Sequence, residues 1–135
     1  MKTNNVIIEQ VSPFDVATTV EKLVAAATLK NWQNPAVHNL QQSLAKAGKE
    51  VRPVQVVEIC KPEYSGVMLE KSDERIVSVM MPCRISVYQK EDGKTYVALL
   101  NMAEMVTGFS PVAVEAISGA TKESIDIVKS VVGPF

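Results

Sequence analysis

The chain has 135 residues, of which 47% are hydrophobic and 21% charged, with a formal charge of −1. That length suits one domain spanning residues 1–135, able to bury roughly two thirds of its unfolded surface, and the composition excludes a disordered chain. The near-zero charge and 5% aromatic content leave little to grip nucleic acid or an anionic membrane.

The first residues, Met1 to Glu9, lack the apolar core of a secretory signal. No apolar run approaches the ~20 residues that a membrane span needs. Two cysteines make no disulfide framework, so the expectation is a soluble protein of the reducing cytoplasm.

In chain order, the β-branched run Val6 to Val11 reads as a first strand. Ser12-Pro13 supplies an N-cap and an N1 proline, and Val16, Val20, Leu23, Val24 and Ala27 recur at helical spacing. The pattern predicts a helix from 13 to about 30. Asn34-Pro35 repeats the start signal, Val37, Leu40 and Leu44 form a narrower stripe, and Gly48 suits a C′ position. A second helix is expected there, carrying His38.

Pro53 opens a strand from Val54 to Cys60, and Pro62 fits N1 of a short helix bearing Tyr64, Val67, Met68 and Leu69. Lys71 to Arg75 reads as a solvated turn. Ile76 to Met81 is dense in β-formers and predicts a third strand, broken at Pro82 from a fourth, Arg84 to Gln89. Asp92-Gly93 is a strong hairpin signal, returning the chain as Tyr96 to Leu100. Ser110-Pro111 starts a last helix with Val114, Ile117, Ile125, Val128 and Val132 on one stripe. Gly119 interrupts that stripe, as a close helix–sheet approach or as a kink. The order β-α-(α)-β-(short α)-β-β-β-α predicts an α+β fold. It contains a single, mainly antiparallel sheet of four to five strands with helices packed on one face.

The chemistry available is narrow. No nucleotide loop, serine elbow or zincin helix is present. Cys60 precedes a helix whose first amides favour a thiolate, although a free cysteine also packs as a small hydrophobe. Cys83 follows Pro82, at a break that either aims a side chain or only needs a small one. If the two strand ends meet, Cys60 and Cys83 face each other. Their separation in sequence is not that of a redox pair, and two cysteines with one histidine fall short of a structural zinc set. A soft ion such as copper(I) needs only two or three sulfur ligands, and Met68, Met80, Met81, Met102 and Met105 are available, each equally suited to a core. His38 is the sole candidate for a cysteine–histidine dyad.

The Cys60-x-Pro62 turn after a β-run, together with Pro82-Cys83 opening the strand Ile85-Ser86-Val87-Tyr88, resembles the family known as domain of unknown function 302. The acidic-glycine hairpin and the strand ending near Asn101-Met102 belong to the same likeness, which covers most of residues 6 to 105. The resemblance implies an α+β domain, assembly as a homo-oligomer, and a shared site for Cys60 and Cys83; it implies no activity. The leading expectation is a small binding protein whose site uses Cys60, Pro62, Tyr64, Met81, Pro82 and Cys83, with Cys60 and Cys83 as ligands to a soft metal ion or small thiol-reactive molecule. The alternatives are a homo-oligomeric structural or interaction module with packed cysteines, and an enzyme using Cys60 as nucleophile. No cofactor is specified.

Overall fold

In the computed structural model, residues 2–3 and 6–135 are described, the first two by their backbone alone. The elements are β1 (Lys2–Thr3), β2 (Ile7–Ser12), α1 (Val16–Leu29), β3 (Val37–Asn39), α2 (Leu40–Lys46), β4 (Val54–Ile59), α3 (Pro62–Leu69), β5 (Cys83–Gln89), β6 (Thr95–Leu100) and α4 (Pro111–Val132). Two 3₁₀ segments, Ser72–Met80 and Met102–Met105, join α3 to β5 and β6 to α4. The strands form one antiparallel sheet in the order β1-β2-β6-β5-β4-β3. This is the α+β architecture expected from the sequence, with the long helices α1 and α4 on one face.

Strand alternation decides which side chains enter the core. Val57 and Ile59 of β4, Ile85 and Val87 of β5, and Val97 and Leu99 of β6 point inward and are buried against Val16, Val20, Leu23 and Ala27 of α1 and Ile127 and Val128 of α4. Their neighbours Ser86, Tyr88, Tyr96 and Ala98 lie on the opposite face, where Ile7, Val11 and Leu100 are exposed. A second, smaller core gathers Met68, Val77 and Met102 around Ala113, Ala116 and Ile117 of α4. Cys83 packs against both cores.

Several local expectations are corrected. Helix α1 starts at Val16, capped by Asp15, whose Oδ1 accepts from the Thr18 amide at 2.8 Å. Ser12 instead meets the Thr19 hydroxyl at 2.7 Å, inside the core. The second helix begins at Leu40, capped by Asn39. Residues 37–39 pair along the free edge of β4, and Asn34, expected to start the helix, donates to the carbonyls of Ala36 and Glu58.

The third predicted strand, Ile76 to Met81, is 3₁₀ helix as far as Met80, and so is the charged run before it, from Ser72 onward. Because β5 is already paired on both sides, by β4 and β6, no ladder edge remains for a strand there. A repeat of three residues per turn puts Val77 inward and leaves Ile76 and Val79 75% and 85% exposed. Pro82 therefore joins a 3₁₀ segment to β5 rather than one strand to another, and its peptide bond with Met81 is cis.

Gly119 is neither a kink nor a helix–sheet contact, since α4 runs unbroken from 111 to 132. A Cβ there would lie 2.7 Å from a ring carbon of Tyr64, so the missing side chain lets α3 approach α4. Alanine at an open helix site gains about 1 kcal/mol over glycine, whereas overpacking costs about 1–3 kcal/mol. Gly119→Ala is expected to lower stability by about 1 kcal/mol in urea unfolding, and the same change made on a Tyr64→Ala background is expected to raise it.

Candidate functional site

The two cysteines arrive at one place through the register of β4 and β5. Ile59 pairs with Cys83, and the chain leaves the ladder at Cys60, which forms an isolated bridge with Gln33. The cysteines are brought together by strands that pair directly, not by two strands ending at a common edge as the sequence suggested. Both are free thiols and half-buried. They line a cavity of about 40 Å³.

Four methionines complete much of its wall. Met68 comes from α3, Met80 from the 3₁₀ segment, Met81 from the junction before Pro82, and Met102 from the segment after β6. Trp32, Tyr64, Val77 and Ile117 are among the apolar and aromatic members of the rest, and Lys61 and Ser65 bring polar atoms to it. Of the residues singled out from the sequence, Cys60, Tyr64, Met81, Pro82 and Cys83 line this cavity. Pro62 does not; it occupies N1 of α3. A neighbouring cavity of about 160 Å³ shares Met80, Met81, Pro82, Cys83 and Met102, so Cys83 is approached from two sides.

The cysteines sit in different surroundings. Cys60 Sγ lies 3.6 Å from the Ser65 hydroxyl, just ahead of the first turn of α3. Burial pushes the Cys83 thiol up to about 11, the nearby Cys60 adds to this, and the Ser124 hydroxyl opposes it. Cys83 is therefore a protonated thiol at neutral pH, a poor nucleophile until something displaces the proton.

Sequence reasoning missed the polar clasp at the rim of this cavity. Glu123 of α4 accepts from Trp32 Nε1 at 3.0 Å, from Lys61 Nζ at 2.9 Å and from the Tyr64 hydroxyl. Lys61 and Tyr64 stand at the start of α3, and the Trp32 and Tyr64 rings are 6.2 Å apart. Burial pushes the Glu123 carboxyl up, but the three donors outweigh it and hold it below 4.5. The same bonds raise Lys61, and carry the Tyr64 hydroxyl to about 12. No local signal marks Glu123, since a carboxylate on an amphipathic helix is ordinarily solvated.

His38 is not part of the site. It lies on β3 rather than on a helix, opposite Val56, and its Nε2 is 3.0 Å from Glu58. The cysteine–histidine dyad does not assemble. Among the described residues, no three of His, Cys, Asp and Glu come together in a way that could hold a metal ion. Among them, too, no helix is long and apolar enough to cross a membrane.

The family model described as domain of unknown function DUF302 matches residues 8–130, and the chain belongs to that family. A protein of Aquifex aeolicus (strain VF5), described as an uncharacterized protein, is 32% identical over 81 residues, covering 57% of this chain. This chain matches 55% of that relative's length, about half. The crystal structure of an uncharacterized conserved DUF302 protein from Bacillus stearothermophilus superposes with a TM-score of 0.82 at 17% identity, over 93% of this chain and 97% of that one. At that identity the likeness establishes the fold.

Because Glu123 has its carboxyl depressed in the folded state, it adds stability that is fully present above its unfolded value and lost as pH falls through the folded one. Glu123→Gln is expected to cost about 1–3 kcal/mol at pH 7. The cost should shrink as pH falls through the folded value of Glu123, as read by urea unfolding over a series of acidic pH values.

Proposed function

We propose that this DUF302 protein is a small binding protein of the reducing cytoplasm whose ligand, a soft metal ion or a small thiol-reactive molecule, is taken up at Cys60 and Cys83. The observation that carries the reading is the shared cavity: the chain has two thiols, 23 positions apart in sequence, and both line it. Met81, Pro82 and Tyr64 contribute apolar wall, and an apolar enclosure with few polar groups is what a small-ligand site requires. Pro62 acts at one remove, by starting α3 directly after Cys60 and Lys61. The clasp on Glu123 ties α3 to α4 and keeps the wall in place.

Silver(I), a non-oxidising probe for sulfur sites, tests this directly. Wild-type protein under reducing-agent-free nitrogen is expected to bind one equivalent tightly by calorimetry, and the Cys60→Ser/Cys83→Ser double variant to lose that binding. Equal, weak responses from the two proteins would sink the proposal.

A second reading concerns the other side of the sheet. Both long helices cover one face, while the opposite face carries exposed Ile7, Val11 and Leu100 with the stacked pair Tyr88 and Tyr96, whose rings are 6.2 Å apart. We infer self-association through that face, with a second copy as the partner; it supports the interaction role and is compatible with the first reading. Light scattering is expected to give twice the chain mass for wild type and the single-chain mass for Val11→Lys/Leu100→Lys. A monomeric wild type at micromolar concentration would dispose of it.

A further inference from the structure

We infer that the cavity's occupant is a single soft metal ion of the copper(I) class, held by the sulfurs of Cys60 and Cys83 with thioethers drawn from the surrounding Met68, Met80, Met81 and Met102. This rests on the reading of the cavity as a ligand site and narrows it to one kind of ligand.

Size makes the first selection. A cavity of about 40 Å³ is close to the ~30 Å³ that one water occupies in the liquid, and far below the ~300 Å³ at which pockets for organic ligands begin. An ion fits, with flexible methionine side chains able to close on it. A metabolite does not.

The donors make the second selection. Six side chains of the wall bear sulfur, and none bears a carboxylate or an imidazole. The one charged side chain in the wall, Lys61, is already engaged by Glu123. Calcium and magnesium require oxygen ligands, and zinc sites are completed by cysteine, histidine or carboxylate. A set of thiols and thioethers is the one that favours copper(I) and its congener silver(I).

The third argument is convergence. Leucine would fill any one of these four positions at similar volume and with better-defined rotamers. Yet the methionines come from three separate stretches of the chain, α3, the Met80-Met81 pair at the end of one 3₁₀ segment and the 3₁₀ segment after β6, and meet around one void. Met105, in the same 3₁₀ segment as Met102, lies outside the cavity wall, so it supplies an internal control.

The test uses full-length protein with ¹³C-labelled methionine methyl groups and silver(I) as the probe. On adding one equivalent, the methyl signals of Met68, Met80, Met81 and Met102 are expected to move, while that of Met105 stays. Met68→Leu/Met102→Leu and Met80→Leu/Met81→Leu, both volume-conserving, are expected to weaken silver binding by about 10-fold or more while circular dichroism stays unchanged. Zinc(II) in tenfold excess should not displace the silver. Cysteine-dependent binding that leaves the methionine signals and the leucine variants unaffected would overturn this inference and leave the thiol site standing. Silver binding that does not depend on the cysteines would overturn both.

Discussion

The register between β4 and β5 is the constraint on which the site depends. Side chains alternate along a strand, so a slip of one residue would turn Cys83 to the outer face and Arg84 into the core. The register is held because Val57 pairs with Ile85 and Gln55 with Val87, and each of the buried members has no exposure left to trade. Burying one such aliphatic side chain is worth about 1.5–3 kcal/mol. A slip would forfeit several of these at once. The aim of Cys83 is therefore a by-product of the main core, while its surroundings belong to the second one.

That second core is built differently. The first is made of stiff β-branched side chains on a sheet, whereas the second is methionine, alanine and 3₁₀ backbone around the first half of α4. Helix α3 carries one buried residue, Met68, and reaches α4 over Gly119, so hydrophobic burial alone attaches it weakly. The Glu123 carboxylate supplies the rest, collecting donors from α3 and from the turn after α1. A partly buried carboxylate with three donors is a charge-assisted network, worth more than a surface ion pair. It fixes the rim of a wall whose other members are flexible.

Much of the fold was legible. Alternation exposed β2, β4, β5 and β6, Asp92-Gly93 marked their hairpin, and Ser110-Pro111 marked the start of α4. The failures share a cause. Ile76 to Met81 has the composition of a strand, but strand formation needs a free ladder edge, and that is a property of the whole sheet. Val37 to Asn39 has the spacing of a helix start, but the open edge of β4 claimed it. Among the site residues, the cysteines were visible because prolines flank them in sequence. The methionines were visible only as core, because nothing local reveals that Met68 and Met102, 34 positions apart, share a wall. Glu123 was invisible, because a carboxylate on an amphipathic helix is ordinarily solvated.

The cavity itself bears on what the wall is for. Methionine is the residue that most readily folds into a gap, having three rotatable bonds and an unbranched stem. Four of them line this gap. The four methionine side chains then line a space between two thiols, in a wall whose polar groups, the Ser65 and Tyr64 hydroxyls and the Lys61 amine, are already engaged by Cys60 and Glu123. Packing accounts for methionine in this second core, and coordination of a soft ion by some of these sulfurs accounts for their gathering beside the two thiols.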